Sequence, residues 1–271
     1  MPEISAKQVQ ALRARTDLAM MDCKAALVEA AGDETKALDI LRRKFADKMS
    51  ARSDKEAANG RIGVHACGKC AALAEVRCET DFVATNDSFR ALADAVADAC
   101  ASSGATDAEK LKAVKTKSGQ TVSELLVDAF GKLKENMNVQ RAARIEGAGA
   151  SYVHHNGKVG AVIACDKDPG EAGRQICMHI ASSVMLMGLA RNDVKPTEVE
   201  AAQQKAREEA AGKPPQIIDK IVAGKMDKWF GERVLTEQPF VMDDKKTVGQ
   251  FAKENGFSIT SYLKYEVGGL G

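Results

Sequence analysis

The sequence predicts an α+β protein. A small helical bundle precedes a twice-used unit of β-hairpin, acidic connection and amphipathic helix, and a helical hairpin is inserted into the second copy. Three observations predict this. Apolar residues at helical spacing fill the N-terminal segment. The hairpin–connection–helix order at Gly60–Cys100 recurs from Ser151, about 90 residues later, which is too long for a solenoid period and fits a duplicated α/β subdomain with antiparallel strands. A Glu-, Gln-, Ala- and Lys-rich stretch ends at Gly212-Lys213-Pro214-Pro215, and a second helical stretch follows it.

The elements follow in order. Val9 and Leu12, with Ala6, mark a first helix; Met20, Met21, Leu27 and Val28 mark a second, with Gly32 suited to its C-terminal cap. Asp33 suits the N-cap of a third helix with Ala37, Leu38, Ile40 and Leu41 on its apolar face. Lys44 to Lys55 is charged and weakly periodic and reads as a linker, and Arg42-Arg43-Lys44 as a solvated helix end. Arg61–Cys67 and Cys70–Cys78 read as strands about Gly68-Lys69, a pair that suits a type II′ turn. Asn86-Asp87-Ser88 starts a helix carrying Phe89, Leu92, Ala93, Val96 and Cys100, and a further helix spans about Val122 to Leu133.

In the second copy, Ser151–His155 and Lys158–Cys165 flank an Asn156-Gly157 turn. Asp166–Gly170 then leads to a helix with Ile176, Ile180, Ser183 and Val184 in phase. The first arm of the inserted hairpin has few large apolar residues, so it should project into solvent or pack on a partner. The tail reads as strand and loop, and its last strand, Ile259–Val267, is expected to rejoin the second sheet. The expected division is 1–54 bundle and linker, 55–147 first core subdomain, 148–195 with 234–271 second core subdomain, and 196–233 inserted arm.

Composition narrows the function. Aromatics are only 4%, so the core must be built from small and aliphatic residues. Basic and acidic residues number 39 and 38, a balance that gives no long-range field to draw in nucleic acid or an anionic membrane. No stretch approaches the roughly 18–20 apolar residues of a membrane span. Met1-Pro2-Glu3-Ile4-Ser5 lacks the pattern of a signal peptide, and seven cysteines is an odd number, so reduced thiols in the cytoplasm are expected.

Cys67-Gly68-Lys69-Cys70, near His65 and Cys78, has the residue types of a zinc site but lacks the second such turn that closed sites use; a pair of free thiols is expected. Nucleotide-loop, nucleophile-elbow and metalloprotease motifs do not occur. The histidines His65, His154, His155 and His179 are scattered; His179 reads as a core or interface residue, and His154 and His155 as accessible. The chain reads as a binding protein without cofactor or metal rather than as an enzyme. Thr80-Asp81-Phe82-Val83 sits between strand and helix; by itself it reads as a turn fixed by Asp81 with Phe82 in the core.

Several motifs carry a family resemblance. Leu12-Arg13-Ala14-Arg15-Thr16 with Met20–Leu27, and Glu75–Ala84, closely resemble the elongation factor Ts family. Ser151–His154, Gln238–Met242 and Thr247-Val248-Gly249-Gln250 are similar to it as well, in family order along nearly the whole chain. The resemblance implies guanine-nucleotide exchange on elongation factor Tu, without covalent chemistry. It also implies a ubiquitin-associated-like N-terminal bundle that docks on the G domain, a duplicated core, and a projecting coiled-coil arm. Thr80, Asp81, Phe82 and Val83 would then form the segment that enters the G domain and disturbs the magnesium site. Met21 and Lys24 would belong to the docking surface of the bundle, and His154, Val241 and Met242 would meet the partner's other face. The sequence leaves a homodimer through core or arm open.

The chain also departs from the family. Asp17-Leu18-Ala19 stands where the family usually has small residues such as Gly-Ala-Gly, Arg77 where it has Asn, and Thr85 where a basic residue is common. The chain ends at Gly268-Gly269-Leu270-Gly271 without the extra C-terminal helix of some members, so a partner contact made there is expected to be absent.

Overall fold

The computed structural model describes residues 4–269, apart from the side chains at 215 and 216. Met1–Glu3 and Leu270–Gly271, on which the readings of the two chain ends partly rest, lie outside the described residues. Helices α1 (Ala6–Thr16), α2 (Met20–Glu29) and α3 (Glu34–Ser50) form the N-terminal bundle. Ser5 and Gln8 close a capping box on α1, and the Asp33 carboxylate caps α3 by accepting N–H bonds from Thr35 and Lys36. Asp17 takes the left-handed conformation (φ 57°) that ends α1, a conformation Asp tolerates better than most side chains. This explains how the chain manages without glycine there, and Leu18 then packs over Gly131.

The linker reading of Lys44–Lys55 is corrected. Helix α3 continues to Ser50 and buries Phe45, so the charged residues are its outer face rather than a connection. Arg42 and Lys44 are likewise not a free helix end. Arg42 pairs with Asp128 and Glu124, and Lys44 Nζ meets Asp22 Oδ1 at 2.8 Å. The bundle thereby docks on the core, with Val127 and Phe130 joining its apolar cluster.

The first sheet is antiparallel in the order β1 (Asn59–Ala66), β2 (Cys70–Cys78), β3 (Met137–Glu146). Even-numbered residues of β2, from Cys70 to Cys78, face the helices α5 (Asp87–Ser103), α6 (Ala108–Lys112) and α7 (Val122–Leu133). Odd-numbered Ala71 and Leu73 face the second sheet, so β2 is buried on both sides. The hairpin forms in the expected register, but Gly68 lacks the positive φ that a type II′ turn requires. A one-turn helix α4 (Asp81–Thr85) separates β2 from α5. Gly63 lies where α5 crosses: a Cβ there would come within 2.0 Å of the Ala93 carbonyl oxygen.

The second sheet runs β4 (Ala148–Val153), β5 (Val159–Cys165), β8 (Ile259–Glu266), so the last strand does pair with β5. Helix α8 (Gly170–Ser182) covers it. Ser183 and Val184, read as the helix's apolar face, lie beyond its end: Ser183 caps it in extended conformation and Val184 is exposed. The sheets pack through Ile62, Ala71, Leu73 and Val162, and Gly160 leaves no room for a Cβ beside Ile62. The buried carboxylate of Glu75 sits at this seam with Arg141 Nε at 2.7 Å and Arg77 Nε at 2.8 Å, and accepts the Gly268 N–H.

Helices α9 (Pro196–Glu209) and α10 (Pro215–Arg233) form the inserted hairpin. Its base holds an apolar cluster of Val194, Met226, Phe230 and Val234, and Arg191 ties it down by a two-pronged pair with Glu237 at 2.6 and 2.8 Å. The tail contains β6 (Pro239–Phe240), β7 (Asp243–Thr247) and α11 (Val248–Glu254). The last is a helix where strand and loop were expected; its signal is the Thr247/Gln250 capping box.

Candidate functional site

The segment between β2 and α5 is built as a rigid outward turn. Thr80 caps α4 by accepting the Val83 N–H on its hydroxyl oxygen. Its own N–H and hydroxyl both donate to the Glu135 carboxylate, at 3.0 and 2.6 Å. One residue earlier, the Glu79 carboxylate receives both prongs of Arg52, at 2.6 and 2.8 Å, together with the Asn136 N–H at 2.6 Å. Arg52 foremost, with the Asn136 N–H adding to it, holds the Glu79 carboxyl below its ordinary range. The Asn59 amide donates to the Glu79 carbonyl, and the Thr85 hydroxyl closes the turn on the carbonyls of Asp81 and Phe82.

Of the four motif residues, Val83 is buried in the core and Thr80 half-buried. Asp81 and Phe82 point outward, Phe82 with 84% of its surface exposed. The reading of Phe82 as a core residue is therefore corrected: Val83 and Ala84 anchor the turn and Phe82 faces solvent. Phe82 is thus a large aromatic held in the open by a hydrogen-bonded frame.

Exposed apolar side chains also lie on α2 and on the β6–β7 turn. On α2, Met21, Lys24 and Val28 follow helical spacing on the outward face, Met21 being 71% exposed. On the β6–β7 turn, Val241 and Met242 are 58% and 50% exposed, and Phe240 beneath them is buried against Phe251 with ring centroids 4.2 Å apart. His179 orients that turn. Its Nδ1 accepts the Val241 N–H at 3.2 Å, which leaves Nε2–H to donate to Gln238 Oε1 at 2.8 Å. Burial holds His179 below its ordinary pKa, so it is a neutral structural residue. Gln238 in turn donates to the carbonyls of Met185 and Glu232, which brings exposed Val184 and Met185 to the same region.

His154 is half-buried rather than open, with Nδ1 3.1 Å from the Tyr152 hydroxyl, while His155 is exposed. Thus α2, the α4 turn and the β6–β7 turn carry separate patches, each on its own element. A cleft of about 1120 Å³ between the bundle and the core is lined by Arg15, Arg42, Arg61, Asp94 and Asp98, and none of Met21, Lys24, Asp81, Phe82, His154, Val241 and Met242 lines it. Among the described residues no group of three or more metal-binding side chains occurs, and no helix is long and apolar enough to cross a membrane.

Residues 79–269, which hold the α4 turn, β3 and the whole second sheet, match the family model "Elongation factor TS". The chain is 41% identical over 276 residues to elongation factor Ts of Azoarcus sp. strain BH72, covering 99% of this chain and 92% of that protein. The chain belongs to the elongation factor Ts family. Elongation factor Ts of Kineococcus radiotolerans is 38% identical, covering 99% of this chain and all of the relative, and that of Levilactobacillus brevis is 36% identical over 98% and 92%.

Within this elongation factor Ts framework, Arg52, Glu135 and Asn136, which hold the turn, were not singled out from the sequence, nor was the exposure of Val184 and Met185. Glu135 and Asn136 act on Thr80 and Glu79 from more than 50 positions away, and no local pattern announces them. Val184 and Met185 carried a signal in Ser182-Ser183, which end α8 by hydrogen-bonding back to the His179 carbonyl.

Proposed function

We propose that the protein is a guanine-nucleotide exchange factor that binds elongation factor Tu in its GDP form and promotes GDP release, without covalent chemistry, in the cytoplasm. The observation that carries this is Phe82, exposed beside Asp81 on a turn pinned by Glu135 and by the Arg52–Glu79 pair. A GTPase holds GDP by phosphate-loop N–H groups and by Mg²⁺, which demands near-ideal octahedral geometry. A rigid aromatic inserted beside that site shifts the loops that arrange the metal, and Asp81 adds negative charge among them. The factor binds the distorted, nucleotide-poor state better than the GDP state, and by reciprocity GDP weakens the factor's binding equally.

In this reading Met21 and Lys24 on α2 dock the bundle on the G domain, and His154, Val241 and Met242 meet a second face of elongation factor Tu. The bundle (1–54) acts as a ubiquitin-associated-like docking unit, the two core subdomains (55–147; 148–195 with 234–271) place both faces, and the arm (196–233) projects as a coiled coil. The test is release of a fluorescent GDP from purified elongation factor Tu. Adding the protein should accelerate release in proportion to its concentration. Unchanged release at saturating protein overturns the proposal.

A further inference from the structure

Cys67 and Cys70 flank the turn of the first hairpin with their sulfur atoms 3.4 Å apart. The Cys67 N–H donates to the Cys70 carbonyl at 2.9 Å, which continues the ladder one step beyond Ala66–Ala71. Directly facing Cα atoms of antiparallel neighbours lie about 4.5–5.5 Å apart, inside the roughly 4.4–6.8 Å span of a disulfide. The backbone therefore already holds both cysteines at bridging distance.

The two thiols differ in character. Cys67 is half-buried and Cys70 is buried. The Lys69 N–H foremost lowers the Cys67 pKa, helped by the Cys70 thiol and N–H and by Arg144, against a burial penalty. Burial foremost, and then the neighbouring Cys67, pushes Cys70 up. The turn amides supply here what a helix N-terminus supplies in other dithiol sites. The remaining cysteines are all buried. Burial pushes Cys78 and Cys165 up to about 12 and Cys100 up to about 11, and raises Cys177 as well. An accessible sulfur beside a buried one is the arrangement of an attacking and a resolving thiol.

We infer that Cys67 and Cys70 are a modification site for hydroperoxides, which oxidise the pair reversibly to a disulfide. The Cys67 thiolate attacks one peroxide oxygen; the O–O bond breaks, and the departing oxygen takes a proton and leaves as water or an alcohol. Cys67 is then a sulfenic acid. The Cys70 sulfur attacks the Cys67 sulfur, the S–O bond breaks, and hydroxide leaves as water with the Cys70 proton. In total the two thiols lose two electrons and two protons, and the peroxide is reduced by the same two electrons. A dithiol reductant reverses the bridge by exchange. The oxidised turn is the one that clasps the crossover between the sheets: the Cys67 carbonyl accepts the Gly149 N–H at 2.8 Å and the Lys69 carbonyl the Gly147 N–H at 2.9 Å.

The test uses the full-length protein treated with hydrogen peroxide, quenched with an alkylating agent and digested with trypsin. Cleavage after Arg61, Lys69 and Arg77 puts the two cysteines on adjacent peptides, so a bridge joins peptides 62–69 and 70–77. The expected result is that joined species, lighter by two hydrogens than the sum of its parts and split by reductant, formed about tenfold or more sooner than any oxidation of Cys177. In Cys70→Ser, Cys67 should instead be trapped as a sulfenic acid by a cyclic dione; in Cys67→Ser neither product should form. Overoxidation of Cys67 without the joined peptide, no trapping in Cys70→Ser, or oxidation of Cys177 at an equal rate would each overturn the inference.

Discussion

Replacing Phe82 by Ala separates a docking residue from a packing residue. Burying a phenylalanine fully is worth about 1.5–3 kcal/mol. With 84% of its surface exposed, Phe82 contributes to the free protein's fold only the small remainder, about 0.2–0.5 kcal/mol. The rest, roughly 1.3–2.5 kcal/mol, is available only when a partner covers the ring, and converts to about 10- to 70-fold in a rate that depends on that contact. A core phenylalanine behaves in the opposite way: Phe89→Ala, at a fully buried site, should cost about 3–5 kcal/mol of stability. The assay pairs urea unfolding of each variant with stopped-flow release of fluorescent GDP from elongation factor Tu, read as the slope against factor concentration. Phe82→Ala should unfold almost as the parent does and lose that slope. A stability loss as large as that of Phe89→Ala, or an unchanged slope, would refute the reasoning.

Two further outcomes follow from the frame and the second patch. Glu135→Ala removes the acceptor of both Thr80 donors, so it should cost about 1–3 kcal/mol in urea unfolding and slow exchange although Phe82 is intact; exchange at the parent's rate would mean that the turn holds its shape without Glu135. His179 is neutral in the fold, with its pKa below the ordinary 6.5 that it regains on unfolding. Its contribution to stability is therefore complete above that value and is lost as pH falls towards the folded pKa, because the unfolded chain takes up the proton first. Unfolding free energies measured at about pH 7.5 and about pH 5.5 should fall with acidity, and His179→Asn should flatten that fall; an unaltered slope would place the pH dependence on other groups.

Much of the architecture was legible because it is written in local periods. The α5 face at Phe89, Leu92, Ala93, Val96 and Cys100 is buried as its spacing predicted, and α7 spans Val122–Leu133 as expected. The failures have a common cause, since what covers a residue is decided by partners distant in sequence. The second half of α3 has a charged surface, and only its docking through Phe45 and Arg42 on α7 makes it a continuous helix of the core. Phe82 has the composition of a buried residue; its exposure follows from Thr80 and Val83 being held from the other side. The candidate segment stood out as a motif, whereas the frame that holds it became visible only once Glu135, Asn136 and Arg52 were brought beside it.

The strand order of the second sheet has a consequence for how the chain is made. Strand β5 is the middle strand, yet one of its two neighbours, β8, follows only after the inserted arm, the β6–β7 turn and α11. On the ribosome the first sheet and its helices can close while the rest is still being translated, because β1, β2 and β3 have all emerged. The β4–β5 hairpin cannot close in the same way. It waits with a row of unpaired N–H and C=O groups along β5 until the inserted arm, the β6–β7 turn and α11 have been added. The second half should therefore be the slow and aggregation-exposed step of biogenesis, and the link from Glu75 to the Gly268 N–H can form only once that strand has docked.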